Sequence, residues 1–347
     1  MRSVHCEIAG VGGHTVGMIE PAPAPVLAGP SALTVAAAHP AHPDQAVHSD
    51  PVLHSDPATH SARRRAVGIA TLLGSGLSNQ VGAAVGSMAF DTIGSVGVVV
   101  VRQFVAAAVL VPLARPRVRD YRWAQWWPVL LLALVFGTMN LSLYASIDRI
   151  GLGLAVTLEF LGPLGVALFA SRSKGAVICA LAAGGGVIAI THPEGTTDYL
   201  GVGLGMLAGL CWASYILLNR TVGRRIPGAG GTATAAAASA IAFVPIGIVV
   251  FSTHPPTLAA LGLAMVAGIM SSALPYVADV TALRRVPAQL FGILMSVNPI
   301  FAAGVGALVL GEALELIEWG GIALIVLANA VALILAAPRQ RDVGGVS

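Results

Sequence analysis

The chain has 347 residues, of which 56% are hydrophobic and only 10% charged, with a formal net charge of +3 and a mean hydropathy of +0.82. A soluble domain carries about 25% charged residues, so this composition excludes a water-coated globule and, with no basic face on a polar domain, a soluble nucleic-acid binder. The length accommodates about ten membrane spans of roughly 20 residues each, with a tail left over.

Residues 1–62 are rich in Pro, Ala, His and Asp and carry a short repeat, His48-Ser49-Asp50-Pro51 then His54-Ser55-Asp56-Pro57. Such a segment buries too little apolar surface to offset its ordering entropy, so a disordered tail is expected. Seven of the nine histidines lie there without a pair at i, i+4 spacing on a credible helix, and Cys6, Cys179 and Cys211 are scattered without a CxxC. Neither a metal site nor a disulfide is expected. No apolar core follows Arg2, so the first membrane helix is expected to act as the insertion signal.

Beyond the tail, apolar runs predict spans at 66–89, 93–113, 127–147, 150–170, 175–192, 199–219, 231–251, 258–280, 287–310 and 318–337. Alternate breaks collect Arg63–Arg65, then Arg115, Arg117, Arg119 and Arg122, then Arg172 and Lys174, then Arg220, Arg224 and Arg225, then Arg284 and Arg285, and finally Arg339 and Arg341. The opposite breaks hold Asp91, Asp148, Glu194, Asp198, Glu312, Glu315 and Glu318, with Arg149 as their one basic residue. The positive-inside rule then places both termini in the cytoplasm of a plasma-membrane protein, which requires an even number of spans. Glu312, Glu315 and Glu318 read as a solvated outer loop, and Asp279 as interfacial.

Small residues recur every four positions in the first span (Ala70, Gly74, Ser78, Gly82, Gly86) and in the sixth (Gly201, Gly205, Gly209, Ala213). Such stripes let helix backbones approach closely, within one chain or between two chains of a homodimer. The matching stripe five spans later suggests a duplicated five-helix unit, over 63–192 and 193–338, with a short tail at 339–347. Five is odd, so the second copy would be inverted across the membrane.

Few polar groups fall at membrane depth: Asn79 and Gln80 in the first span, Arg102 in the second, Asn140 and Tyr144 in the third, Glu159 in the fourth. Tyr215, Tyr276 and Asn298 follow in the sixth, eighth and ninth. A charge at the centre of a spanning helix costs at least about 2.5–3.5 kcal/mol, so Glu159 needs a partner, a substrate or a proton. Arg102 is expected at the same depth. The two either form a structural ion pair, or Glu159 carries a proton or meets a substrate ammonium while Arg102 meets a carboxylate. Pro163, Pro275 and Pro299 each free a carbonyl inside a span. No GxxxxGK[ST] loop supports ATP drive, no HExxH or paired acidic motif supports an enzyme, and no filter or soluble domain supports a channel or sensor.

In order, GTMNLSLYASI (137–147), GLAVTLEFLGPLGVALFASR (153–172), CWASYIL (211–217), SSALPYVAD (271–279) and FGILMSVNPIFAAGVGALVLGE (291–312) resemble the drug/metabolite transporter superfamily. The resemblance is to the EamA type, most closely its threonine/homoserine exporter branch, over about 66–337. It implies an all-α fold of ten helices in two inverted repeats, cytoplasmic termini and efflux of small amino-acid-like metabolites. Asn298 departs from the acidic residue that related exporters tend to carry before the ninth-span proline, which throws coupling onto Glu159. The expectation is a proton-coupled secondary exporter of amino acids such as threonine or homoserine, without cofactor; the alternative is a broad drug or nucleoside exporter of the same fold.

Overall fold

Backbone N–H and C=O groups find no water inside hydrocarbon, so a chain this apolar must satisfy them within its own helices. Among the residues described by this computed structural model (57–171, 174–191, 198–226, 228–275, 278 and 288–335) every regular element is helical. Tail positions 1–56, Tyr276 and Asp279 lie outside the described residues. The elements are α1 (Pro57–Ser87), α2 (Phe90–Ala114), α3 (Trp123–Ile150), α4 (Leu152–Glu159), α5 (Leu161–Ser171), α6 (Lys174–Thr191) and α7 (Tyr199–Arg225). They continue with α8 (Gly230–Ala242), α9 (Val244–Thr253), α10 (Leu258–Gly268), α11 (Ala288–Met295), α12 (Asn298–Val305) and α13 (Leu316–Leu335). Helix α1 starts at Pro57, inside the expected tail, because proline fits a first helical turn, where its missing N–H is not needed.

Among the described residues six runs are long and apolar enough to cross a membrane: α2, α3, the α4–α5 run, α7, the 293–310 run and α13. A seventh is gained if α8 and α9, bent by 40°, count as one. Helices α6 and α10 are apolar but short, and α1 is one continuous helix whose apolar run is interrupted by Gly74-Ser75-Gly76 and Ser78-Asn79-Gln80. The chain is a multi-pass membrane protein.

Helices α3 and α7 run antiparallel and are pinned at both ends. At one end Arg149 pairs with Asp198 at 3.0 Å, and Asp198 caps α7 by accepting from the Gly201 N–H at 2.9 Å. That N–H, together with the Arg149 guanidinium, holds Asp198 below the usual carboxylate range. At the other end the Gln125 side chain donates to the Arg225 carbonyl at 3.0 Å, and the Arg225 guanidinium lies 5.0 Å from the Trp127 ring centre.

The small-residue stripe of α7 packs within the chain. A Cβ on Gly205 would touch Leu158 and Ser146 at 3.0 Å, and one on Gly209 would stand 3.0 Å from the carbonyls of Leu158 and Glu159. Gly162 of α5 meets the Gly209 backbone even more closely. In α1, Gly82 faces Met270 and Ser271 and Gly86 faces Ala267, Val98 and Tyr144, whereas Gly74 faces open space. Bare backbone is what allows these crossings where lipid supplies no hydrophobic drive.

Besides the bent α8–α9 pair, two spans are broken beside a proline. Pro163 has no N–H for the Glu159 carbonyl, the helix stops at Glu159, and Asn329 of α13 donates to the next carbonyl, Phe160, at 3.2 Å. Pro299 likewise leaves the Met295 carbonyl without its helical donor, and the Asn298 Nδ2 replaces it at 2.9 Å. The broken spans pack on each other, α4 against α12, with Gly153 against the Ala303 backbone.

Glu312 corrects the solvated-loop expectation. Its carboxylate accepts from the Leu152 N–H at 2.8 Å and the Gly153 N–H at 3.4 Å, closing the first turn of α4. Burial pushes Glu312 above the usual carboxylate range, and the two N–H groups pull it back only in part. The fit leaves no slack: Gly151 has φ +83°, and a Cβ there would stand 3.0 Å from the carboxyl carbon. Glu312→Ala is expected to lose about 1–2 kcal/mol of stability, the usual value of a helix N-cap, with Glu312→Gln recovering part of it; thermal unfolding in detergent measures both.

Candidate functional site

A cavity of about 310 Å³ opens where α1, α2, α3, the α4–α5 break, α7, α8 and the α11–α12 break converge. That volume lies at the small end of small-molecule sites, which span roughly 300–1,000 Å³. Eight of the nine residues singled out from the sequence line it: Asn79, Gln80, Arg102, Asn140, Tyr144, Glu159, Tyr215 and Asn298. The ninth, Tyr276, lies outside the described residues.

Glu159 ends α4 on the cavity wall and is 7% exposed. Its placement follows from the break: the last residue of α4 is held by Gly209 against its backbone, and the chain runs on through Phe160 into α5 in the same span. A carboxylate this buried requires donors, a counter-charge or a proton.

Of the two arrangements expected for Arg102 and Glu159, the direct ion pair is not made. No nitrogen of Arg102 comes within 4.0 Å of a Glu159 oxygen among the described residues; the guanidinium lies instead over the Tyr144 ring, 4.4 Å from its centre. Tyr144 is held in turn by Phe90, edge to face at 5.9 Å. An arginine plane on an aromatic face is attracted by the ring quadrupole. Among the described lining residues Glu159 is the one carboxylate and Arg102 the one cation.

The neutral polar residues are largely occupied in holding helices. The Asn140 amide donates to the Phe136 carbonyl of its own helix at 2.9 Å. Asn298 donates to Met295 and accepts from Gln80 at 3.4 Å, with Gly76 leaving room for its amide. An ionised carboxylate at 298 could not donate to Met295, which gives the departure from an acidic residue a physical reason. Trp212 meets Phe160 edge to face at 4.5 Å, and Phe136 lies beside Tyr215, so one side of the cavity is aromatic.

Sequence reasoning did not single out Ser75, Thr232 or Ser271 for the lining. Ser271 bridges to the Asn79 carbonyl at 2.9 Å, and Thr232 to Asn219 at 3.0 Å. Ser271 stood inside a quoted motif, but a mid-helix hydroxyl is usually absorbed by its own backbone. Among the described residues no three His, Cys, Asp or Glu side chains are grouped to hold a metal ion.

Comparison with known proteins adds four findings. The EamA-like transporter family model matches residues 199–334. Threonine/homoserine exporter RhtA of Salmonella typhimurium strain SL1344 is 37% identical over 247 residues, covering 70% of this chain and 82% of that protein. Threonine/homoserine exporter RhtA of Escherichia coli strain K12 is 35% identical over 267 residues, covering 75% of this chain and 89% of that protein. A solved crystal structure, described only as that of a protein, superposes with a TM-score of 0.51 at 15% identity over 79% of this chain and 98% of its own, a likeness of fold alone.

Proposed function

This chain belongs to the EamA-like transporter family, and we propose that it is a secondary active exporter of small amino acids such as threonine and homoserine, driven by protons through alternating access. Its relatives are exporters rather than enzymes. The observation that carries the reading is Glu159, buried on the wall of a cavity of amino-acid scale and the one carboxylate among its described lining residues.

In this proposal ten spans form two inverted five-helix repeats, 63–192 and 193–338, with both termini on the cytoplasmic side of the inner membrane. The family match over 199–334 supports a second half that stands as a unit. The two proline-broken spans packed on each other support a site built at the repeat interface, where transporters place substrate. The segregation of arginines to alternate breaks supports the orientation. Rocking one half against the other would expose the cavity to each side in turn, and Glu159 would exchange its proton for substrate as it does so.

Efflux from loaded cells or energised vesicles, run over a panel of amino acids, dyes and nucleosides, tests this. Threonine or homoserine is expected to leave the cytoplasmic side against its gradient. Movement of a dye or nucleoside with no amino acid moved would select the broad-specificity exporter instead.

A further inference from the structure

Arg102 is the cavity's unexplained charge. It is 7% exposed, and its Nε and Nη1 are buried without a hydrogen-bond partner. Unsatisfied donors at this depth are costly, and charged ones more so. Stacking on Tyr144 recovers only part of that, because the ring attracts the guanidinium through its face and satisfies none of the N–H groups lying in its plane. Had the residue served only to neutralise Glu159, a direct pair would be the economical arrangement; among the described residues the two remain beyond 4.0 Å. The aromatic face fixes the plane of a donor fork that matches a carboxylate.

Resting on the proposed transport role of this cavity, we infer that Arg102 anchors the substrate's carboxylate, and so restricts export to molecules that carry one. A zwitterion matches the two charges in the lining, its carboxylate on Arg102 and its ammonium toward Glu159. A cation lacking a carboxylate leaves Arg102 unpaired and meets its repulsion, which is how a site rejects a wrong ligand. Arg102 is thus a specificity residue as well as a binding one.

The test needs no variant at first. In proteoliposomes of the wild-type chain, transport of labelled threonine is challenged with unlabelled threonine, threoninamide and threoninol; the last two keep the ammonium and lose the carboxylate. Threonine is expected to compete at least about tenfold better than either, equivalent to ~1.4 kcal/mol. Equal competition by all three overturns the inference whatever the variants do. Arg102→Lys, which keeps the charge and loses the fork, is expected to raise KM for threonine more than it lowers kcat and to retain the preference. Arg102→Gln is expected to bring the preference to about one; a well-folded Arg102→Gln protein that still prefers threonine by tenfold also overturns it. If threonine is not moved at all, the amino-acid reading fails separately, and the same comparison passes to whichever compound of the panel is moved. Wild-type export of a carboxylate-free compound then overturns the anchor, and a carboxylate-dependent one sustains it.

Discussion

Glu159→Gln is expected to abolish energised efflux while leaving exchange in place. The substitution keeps the shape of the side chain and removes its capacity to carry a proton, so uphill export should fall at least about tenfold, equivalent to ~1.4 kcal/mol. Counterflow of labelled against unlabelled threonine, which requires no net proton movement, should persist at a measurable rate. The expectation rests on placement: Glu159 is buried, ends a broken helix, lines the cavity, and is the one carboxylate among the described lining residues. Loss of uphill efflux and counterflow together would instead show that the Glu159 charge is indispensable for holding the substrate ammonium, beyond any role in coupling. Unchanged energised efflux would remove it from the coupling mechanism.

Gly162→Val is expected to destabilise the chain strongly, with Gly165→Ala as the tolerated control. A Cβ at 162 runs into the Gly209 carbonyl and stands 3.1 Å from the Ala213 nitrogen, whereas one at 165 finds nothing within 4 Å. Overpacking against side chains costs about 1–3 kcal/mol, and here the obstacle is backbone, which cannot rotate away. The chain must separate α5 from α7, and that moves the Glu159 carbonyl that rests on Gly209. At about 2–4 °C of melting temperature per kcal/mol, Gly162→Val should melt well below wild type in detergent and lose transport with it, while Gly165→Ala should melt within error of wild type.

The sequence made the membrane class legible, because a 10% charged fraction leaves no other architecture, and it made the polar residues countable, because few occur between apolar runs. Eight of those residues do line one cavity. What the pattern could not reveal was which group each side chain serves. Arg102 has Tyr144 and Glu159 both available, and the choice is one of rotamer and packing, not of spacing. Asn298 read as a lost carboxylate, yet its amide supplies the donor that Pro299 removes from the Met295 carbonyl, a local repair visible only once the helix is seen to break there. Glu312 looked like loop charge because its partners, the N–H groups of Leu152 and Gly153, stand about 160 positions away in sequence. Among the described residues, length and apolarity together mark fewer runs than ten because the two properties pull apart. Helix α1 is long but carries the polar residues of the cavity, and α6 and α10 are apolar but short.

Proton movement driven by substrate tests the coupling claim most directly. Proteoliposomes of the wild-type chain, loaded with a pH-sensitive dye and given an outward threonine gradient with no imposed pH difference, should show protons moving against the threonine flow. The same vesicles made with Glu159→Gln should pass threonine without a pH change. Threonine flux in wild type with no proton movement, or proton movement undiminished in Glu159→Gln, would contradict the account.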